Sequence, residues 1–260
     1  VNIHTPAKIP PWHVVAAAVR GKGHEKAGQP CQDAVAWREV PGRVLLAAVA
    51  DGAGSAKLGE VGSEIVVRSA LAFLEESLKD AAAWREEGGA RSRLKAALEA
   101  ALTALTAEAG KRPAQPGDLA TTLLICVATP ERVAAAQIGD GAVVLAEAEG
   151  GFRALTKPPA GEYLNETVFL TSEDALARAQ FEVWSGPVRQ VALFSDGLQM
   201  LALKMPEATP HAPFFKPLFA WLERATDAAA AQADLESLLR SPRVTDRTED
   251  DLTLLLARRP

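Results

Sequence analysis

The sequence predicts a layered α+β fold, because its strand-like and helix-like segments come in blocks. Short apolar runs bounded by turn residues cluster over about 13–50 and 121–156. Two helix-length segments with a 3.6-residue apolar period separate those clusters, and helical sequence broken by prolines fills about 197–240 before a last strand. Blocks of this kind, with tight turns between successive strands, favour antiparallel sheets over the strand–helix–strand alternation of a parallel one. No GxGxxG or GxxxxGK[ST] loop follows a strand, which removes the usual nucleotide-binding readings.

Taken in order, residues 1–12 carry Pro6, Pro10 and Pro11 and read as an arm, with a single domain over 13–260. HVVAAAV (13–19) reads as a buried strand and RGKGHEKAGQP (20–30) as a basic, glycine-containing loop. AVAWREV (34–40) and RVLLAAVA (43–50) flank Pro41-Gly42 as a hairpin. From Glu64 to about Lys79, Val67, Ala70, Leu71, Leu74 and Leu78 fall on one helical face; from Arg91 to about Ala109, Leu94, Leu98, Ala101, Leu102 and Leu105 do the same. After a loop at 110–117, TTLLICVA (121–128), RVAAAQI (132–138), AVVLAEA (142–148) and FRALT (152–156) are expected to form an antiparallel meander. Residues 157–187 show little pattern beyond a short helix near Glu173–Ala179. VRQVALFS (188–195) and DLTLLLARR (251–259) read as the remaining strands.

The bulk numbers narrow the function. The chain has 260 residues, 48% apolar and 23% charged, enough for a sizeable core. A net charge of −5 argues against a nucleic-acid partner. Cys31 and Cys126 alone make neither a disulfide framework nor a thiolate metal cluster, as in a reducing cytosol. The opening VNIHTPAKIPPW has no apolar signal core, and no uncharged apolar run approaches a membrane span of about 18 residues. A cytoplasmic protein without membrane attachment is expected.

The chemistry enters through acids. Asp51-Gly52, Asp140-Gly141 and Asp196-Gly197 each follow an apolar strand. One Asp-Gly is an ordinary turn; a recurrence at strand ends asks for a joint cause. A hairpin centred near residue 42 sets Asp33 opposite Asp51. The hairpin turning near Pro130-Glu131 brings Asp140 towards Ala120–Thr122, and a last strand antiparallel to VALFS brings Asp250 and Asp251 towards Asp196. Such crowding is costly: two unit charges about 4 Å apart interact by roughly 4 kcal/mol at an effective dielectric of about 20. Either some carboxylates are protonated or a cation lies among them. An all-oxygen ligand set without His or Cys selects Mg²⁺, Mn²⁺ or Ca²⁺.

QDA (32–34), ADGAGSA (50–56), ATTL (120–123), IGDG (138–141), SDGL (195–198) and DDLT (250–253) stand in the order found in metal-dependent Ser/Thr protein phosphatases of the PP2C (PPM) family, and GKGHEKAGQPCQDA resembles a bacterial branch of it. The resemblance spans about 12–258. It implies a four-layer αββα sandwich, two antiparallel sheets flanked by helices. It implies hydrolysis of phosphoserine and phosphothreonine in proteins through a metal-bridging water, with Asp33, Asp51, Asp196 and Asp250 carrying the reaction. Two Mg²⁺ or Mn²⁺ ions would be held by Asp51, the Gly52 carbonyl, Asp196 and Asp250, with Asp33 as an anchor. Asp140 with Asp196 would hold a weaker third ion. The partner would be a phosphoprotein made by a Ser/Thr kinase, met by a monomer.

Three positions depart from the family pattern. Gln32 stands where the family often has Glu, Ala53 where the eukaryotic motif has a proton-donating His, and Gly28 where a phosphate-gripping Arg is usual. His24 and Lys26 are the substituting phosphate-side candidates. These departures also motivate an alternative, a pseudophosphatase-type module that binds phosphoproteins or a partner without turnover. Asp251 reads as a solvated neighbour of the site, Cys31 as a small buried side chain, and Thr121 and Thr122 as strand residues with incidental hydroxyls.

Overall fold

The computed structural model describes residues 11–80, 84–147, 150–159 and 167–259. Most of the expected arm lies outside them. Trp12, at its end, is buried, and its Nε1 donates to Arg43 O at 2.9 Å.

Strands β1 (His13–Val19), β2 (Asp33–Val40), β3 (Val44–Asp51), β4 (Leu123–Ala128), β5 (Arg132–Ile138), β6 (Ala142–Ala146), β7 (Phe152–Thr156), β8 (Gln180–Ser185), β9 (Gln190–Phe194) and β12 (Leu252–Arg258) build two antiparallel sheets. Their orders are β2-β3-β4-β5-β8 and β1-β12-β9-β6-β7. A separate two-stranded ribbon pairs β10 (Leu203–Lys204) with β11 (Thr209–Pro210).

Strand β3 shows why the apolar runs are continuous. Leu45, Ala47 and Val49 pack with Val143, Val191, Leu193 and Leu255 of the other sheet. Leu46, Ala48 and Ala50 pack instead on helices α2 (Gly59–Ser77) and α3 (Glu87–Ala109). With alternate residues buried on opposite faces, every position is apolar. After a short α5 (Gln199–Ala202), α6 (Ala212–Arg224) and α7 (Ala228–Leu239) cover the second sheet through Phe215, Phe219, Leu222 and Leu235. The result is four layers, helix–sheet–sheet–helix. The fold class expected from the sequence is therefore the observed one.

Four details differ from expectation. The loop at 20–30 contains a short helix, α1 (Lys22–Ala27), stopped by Gly28 in the left-handed region at φ 66°. Helix α2 begins earlier than its apolar stripe, because Gly62 lets the first turn press on Leu119; a Cβ there would stand 2.2 Å from its carbonyl oxygen. The short helix near 173–179 is present as α4 (Ala175–Arg178), but the strand after it, β8, carries mixed polar and apolar residues as an edge strand and was not legible.

The meander is broken. β4 pairs with β5, and β6 with β7, but β5 and β6 lie in different sheets. The chain changes sheet at Gly139-Asp140-Gly141, so Asp140 marks a crossover rather than a hairpin. A Cβ on Gly141 would stand 2.6 Å from Phe194 O, so the crossover depends on glycine there.

Candidate metal centre and active site

The sandwich opens at one end onto the strand termini that carry the acids. Asp33 and Asp51 are the last register pair of β2 and β3. Asp196 follows β9, and Asp250 precedes β12. Carboxylate oxygens of Asp51, Asp140 and Asp196 all lie within 4.8 Å of one another.

Asp51, Asp33 and Asp140 are held by neighbours that satisfy the backbone or one carboxylate oxygen. For Asp51, Thr122 N and Thr121 Oγ1 both donate to its carbonyl at 2.8 Å, while its own N–H donates to Thr122 Oγ1 at 3.0 Å. These two hydroxyls, expected to be incidental, are the clamps on this peptide. Ser195 Oγ donates to Asp33 Oδ2 at 2.7 Å and accepts from Thr253 N at 3.2 Å. Thr167 Oγ1 donates to Asp140 Oδ2 at 2.8 Å, and Gln137 Nε2 donates to Gly139 O and Gly141 O at 3.0 and 2.8 Å, fixing the crossover on both sides of Asp140.

Gln32 is buried, and its amide nitrogen fits facing Gly52 O at 3.1 Å and Ala53 O at 3.2 Å. The opposite orientation would set its oxygen against both carbonyls. A carboxylate at this position would meet the same carbonyls without a proton to give.

Asp251 is not solvated. It is 1% exposed, and it accepts from Gly21 N at 2.7 Å and Gln32 N at 2.6 Å. Its neighbour Asp250 is exposed and accepts from Asp251 N at 2.8 Å. Of the two phosphate-side candidates, His24 Nδ1 lies 2.8 Å from Asp251 Oδ2, whereas Lys26 is exposed and pairs with Glu249 at 2.6 Å. Both ride on α1, which abuts the 249–251 segment.

Burial pushes the Asp33 carboxyl up to about 7, partly offset by the Thr253 and Ser195 hydroxyls beside it. Burial also raises Asp51, and the charges of Asp33, Asp196, Asp250 and Asp140 raise it further. Asp196 is pushed up to about 7 by burial and by Asp140 and Asp250. Asp140 is raised chiefly by burial. Asp33 Oδ1 and Asp196 Oδ1 are buried without a protein partner. Crowded carboxylates with orphaned inward oxygens and no soft donor fit a hard divalent cation.

Sequence reasoning found the acids and missed what holds them. Thr121, Thr122, Ser195 and Gln137 are polar residues in buried strand ends, each next to an Asp-Gly or paired with one; that is the signal that marks them.

The family model described as Protein phosphatase 2C matches residues 20–240. Serine/threonine-protein phosphatase 3 of Escherichia coli (strain K12) is 39% identical over 258 residues, covering 95% of this chain and 98% of that protein. Among solved structures, the S. agalactiae serine/threonine phosphatase superposes with a TM-score of 0.66 at 16% identity, covering 95% of this chain and 99% of that one. The catalytic domain of the serine threonine protein phosphatase PstP, in complex with two manganese ions, gives 0.60 at 21% identity, covering 95% and 98%. RsbX in complex with magnesium gives 0.57 at 13% identity, covering 98% of each chain. The structural likenesses speak to the shared fold.

Proposed function

The chain belongs to the protein phosphatase 2C family and is a metal-dependent serine/threonine protein phosphatase; from that premise we propose how its own residues divide the work. Asp51, the Gly52 carbonyl, Asp196 and Asp250 hold two Mg²⁺ or Mn²⁺ ions. Asp33 anchors the set, and Asp140 with Asp196 holds a third. Bound there, the cations supply an activated water and charge stabilisation for the phosphoryl oxygens.

The protein's contribution is preorganisation. The Thr121 and Thr122 clamps fix the Asp51-Gly52 peptide, so that a carboxylate and a carbonyl are presented together. Ser195 fixes Asp33 from the opposite sheet. Gln32 holds Gly52 O and Ala53 O by donation, a role for the amide that a carboxylate cannot fill. His24 and Lys26 face the substrate from α1. The substrates are proteins phosphorylated by a Ser/Thr kinase, met by a monomer in the cytoplasm without nucleic acid or membrane.

The observation that carries this assignment is the convergence of Asp51, Asp140 and Asp196 within 4.8 Å from three separate strand ends. Purified protein is expected to hydrolyse a phosphoserine or phosphothreonine peptide with Mn²⁺ or Mg²⁺ and to stop on chelation. Failure of the metal-loaded protein against every phosphoester would return the chain to a non-turnover binding role.

A further inference from the structure

Residues 167–170 form neither helix nor strand, yet their side chains are divided between two surroundings. Val168 and Leu170 are buried in the core that the first sheet shares with α2 and α3. Thr167 and Phe169 go the other way, the alternation of an extended chain. Thr167 Oγ1 reaches Asp140, and half-buried Phe169 packs on Ala53, Ala56 and Ala120. Leu170 N donates to Thr121 O at 2.8 Å, on the residue whose hydroxyl holds the Asp51 carbonyl. This one segment therefore touches the supports of two acids, Asp140 at the sheet crossover and Asp51 at the end of β3.

The backbone on both sides of Asp140 is fixed. Gln137 Nε2 donates to Gly139 O at 3.0 Å and to Gly141 O at 2.8 Å, and Gly141 is pressed against Phe194 O. The Asp140 side chain is a different matter, because its torsions settle where its carboxylate finds a partner. Asp51 and Asp196, each with an oxygen within 4.8 Å of it, are acids that repel its charged form. Among the described residues, the side chain that donates to Asp140 is Thr167, whose Oγ1 lies 2.8 Å from Oδ2. The hydroxyl holds this carboxylate in the cluster against the charge of its neighbours.

A carboxylate that ligates a metal ion is oriented by the hydrogen bond it accepts, and losing that partner costs about 10–100-fold in metal affinity. We propose, on the phosphatase reading above, that Thr167 is the positioning residue for the third cation, and that through it the cation at Asp140 and Asp196 is coupled to the placement of residues 167–170. The coupling is reciprocal: a cation that favours the held carboxylate favours the segment that holds it. The Asp51-Gly52 peptide is fixed instead by the Thr121 and Thr122 hydroxyls, so the two tighter ions do not depend on the Thr167 hydroxyl.

Calorimetric titration of the metal-free protein with Mn²⁺ reads the steps apart. Thr167→Val keeps the shape and removes the hydroxyl. It should weaken the third, loosest step about 10-fold or more and leave the first two within about threefold. Thr167→Ser, which keeps the hydroxyl, should restore the third step. Hydrogen exchange reads the segment itself. Filling the third step should slow exchange at the Leu170 N–H about fivefold or more in wild type and leave it unchanged in Thr167→Val. A third step of equal strength in wild type and Thr167→Val, a loss spread evenly over all three steps, or a wild-type titration that ends at two ions would overturn the role of Thr167 and leave the phosphatase reading standing. Wild-type protein that binds no Mn²⁺ and cleaves no phosphoester would overturn that reading itself.

Discussion

Ser195 Oγ and Asp33 Oδ2 meet at 2.7 Å although Ser195 follows β9 of one sheet and Asp33 begins β2 of the other. The bond is a staple across the open end of the sandwich, and its acceptor is a buried carboxylate. Ser195→Ala removes the hydroxyl that donates to Asp33 Oδ2. A hydrogen bond to a charged group is worth about 1.5–3 kcal/mol, so denaturant unfolding should show a loss near the lower end. Mn²⁺ affinity by calorimetry should fall with it. An unchanged midpoint would mean that the staple is dispensable.

Asp196→Asn separates folding from chemistry. The substitution keeps the shape and removes one charge from the crowd that raises Asp51. Turnover should be almost abolished. The metal-free variant should nevertheless melt higher than metal-free wild type, because like-charge repulsion has been relieved. Added Mn²⁺ should raise the melting temperature of wild type more than that of the variant. A metal-free variant less stable than wild type would contradict the electrostatic account.

The fold was legible where strands are buried on both faces and helices on one. β3 reads as an unbroken apolar run because Leu45 and Leu46 face different layers, and α2 and α3 show their stripes. The register of Asp33 on Asp51 followed from a hairpin, a local relation that sequence spacing fixes. The change of sheet at Asp140 did not, because Gly139-Asp140-Gly141 looks the same as a turn whether the next strand pairs back or crosses over. The burial of Asp251 is hidden from sequence for a related cause. Its partners are Gly21 and Gln32, backbone groups more than 200 residues away in sequence, and backbone donors leave no side-chain signature.

Gly197 tests how tightly the Asp196 turn is set against the start of β12. A Cβ there would stand 2.0 Å from Asp251 O, backbone against backbone, so neither side can yield cheaply. Gly197→Ala should cost about 1–3 kcal/mol and reduce turnover by moving Asp196. Gly88→Ala, in α3 with open space around the added methyl, should stabilise instead, by up to about 1 kcal/mol. Equilibrium denaturation of the two variants side by side decides the matter, and equal effects of the same sign would refute the close-approach argument.

Cys126 sets an alkaline limit. It is fully buried in the inter-sheet core, and burial pushes its thiol up from 9.0 to about 12. Below pH 9 the thiol is protonated in both folded and unfolded chains and contributes no pH dependence. Between about 9 and 12 the unfolded chain ionises and the folded one does not, so stability falls as pH rises, by at most about 1.4 kcal/mol per pH unit from this group. Burial, with the charges of Asp251 and Asp33, raises Cys31 as well, in the same direction. Native protein at pH 8 should therefore release the Cys126 thiol to a reagent only on unfolding; Cys31, half-buried rather than buried as expected, should react slowly because its ionisation is suppressed. Cys126→Ala should flatten the decline in melting temperature above pH 9. Rapid labelling of Cys126 in the native protein at pH 8, or an unchanged alkaline slope in the variant, would show that this thiol is not sealed in the core.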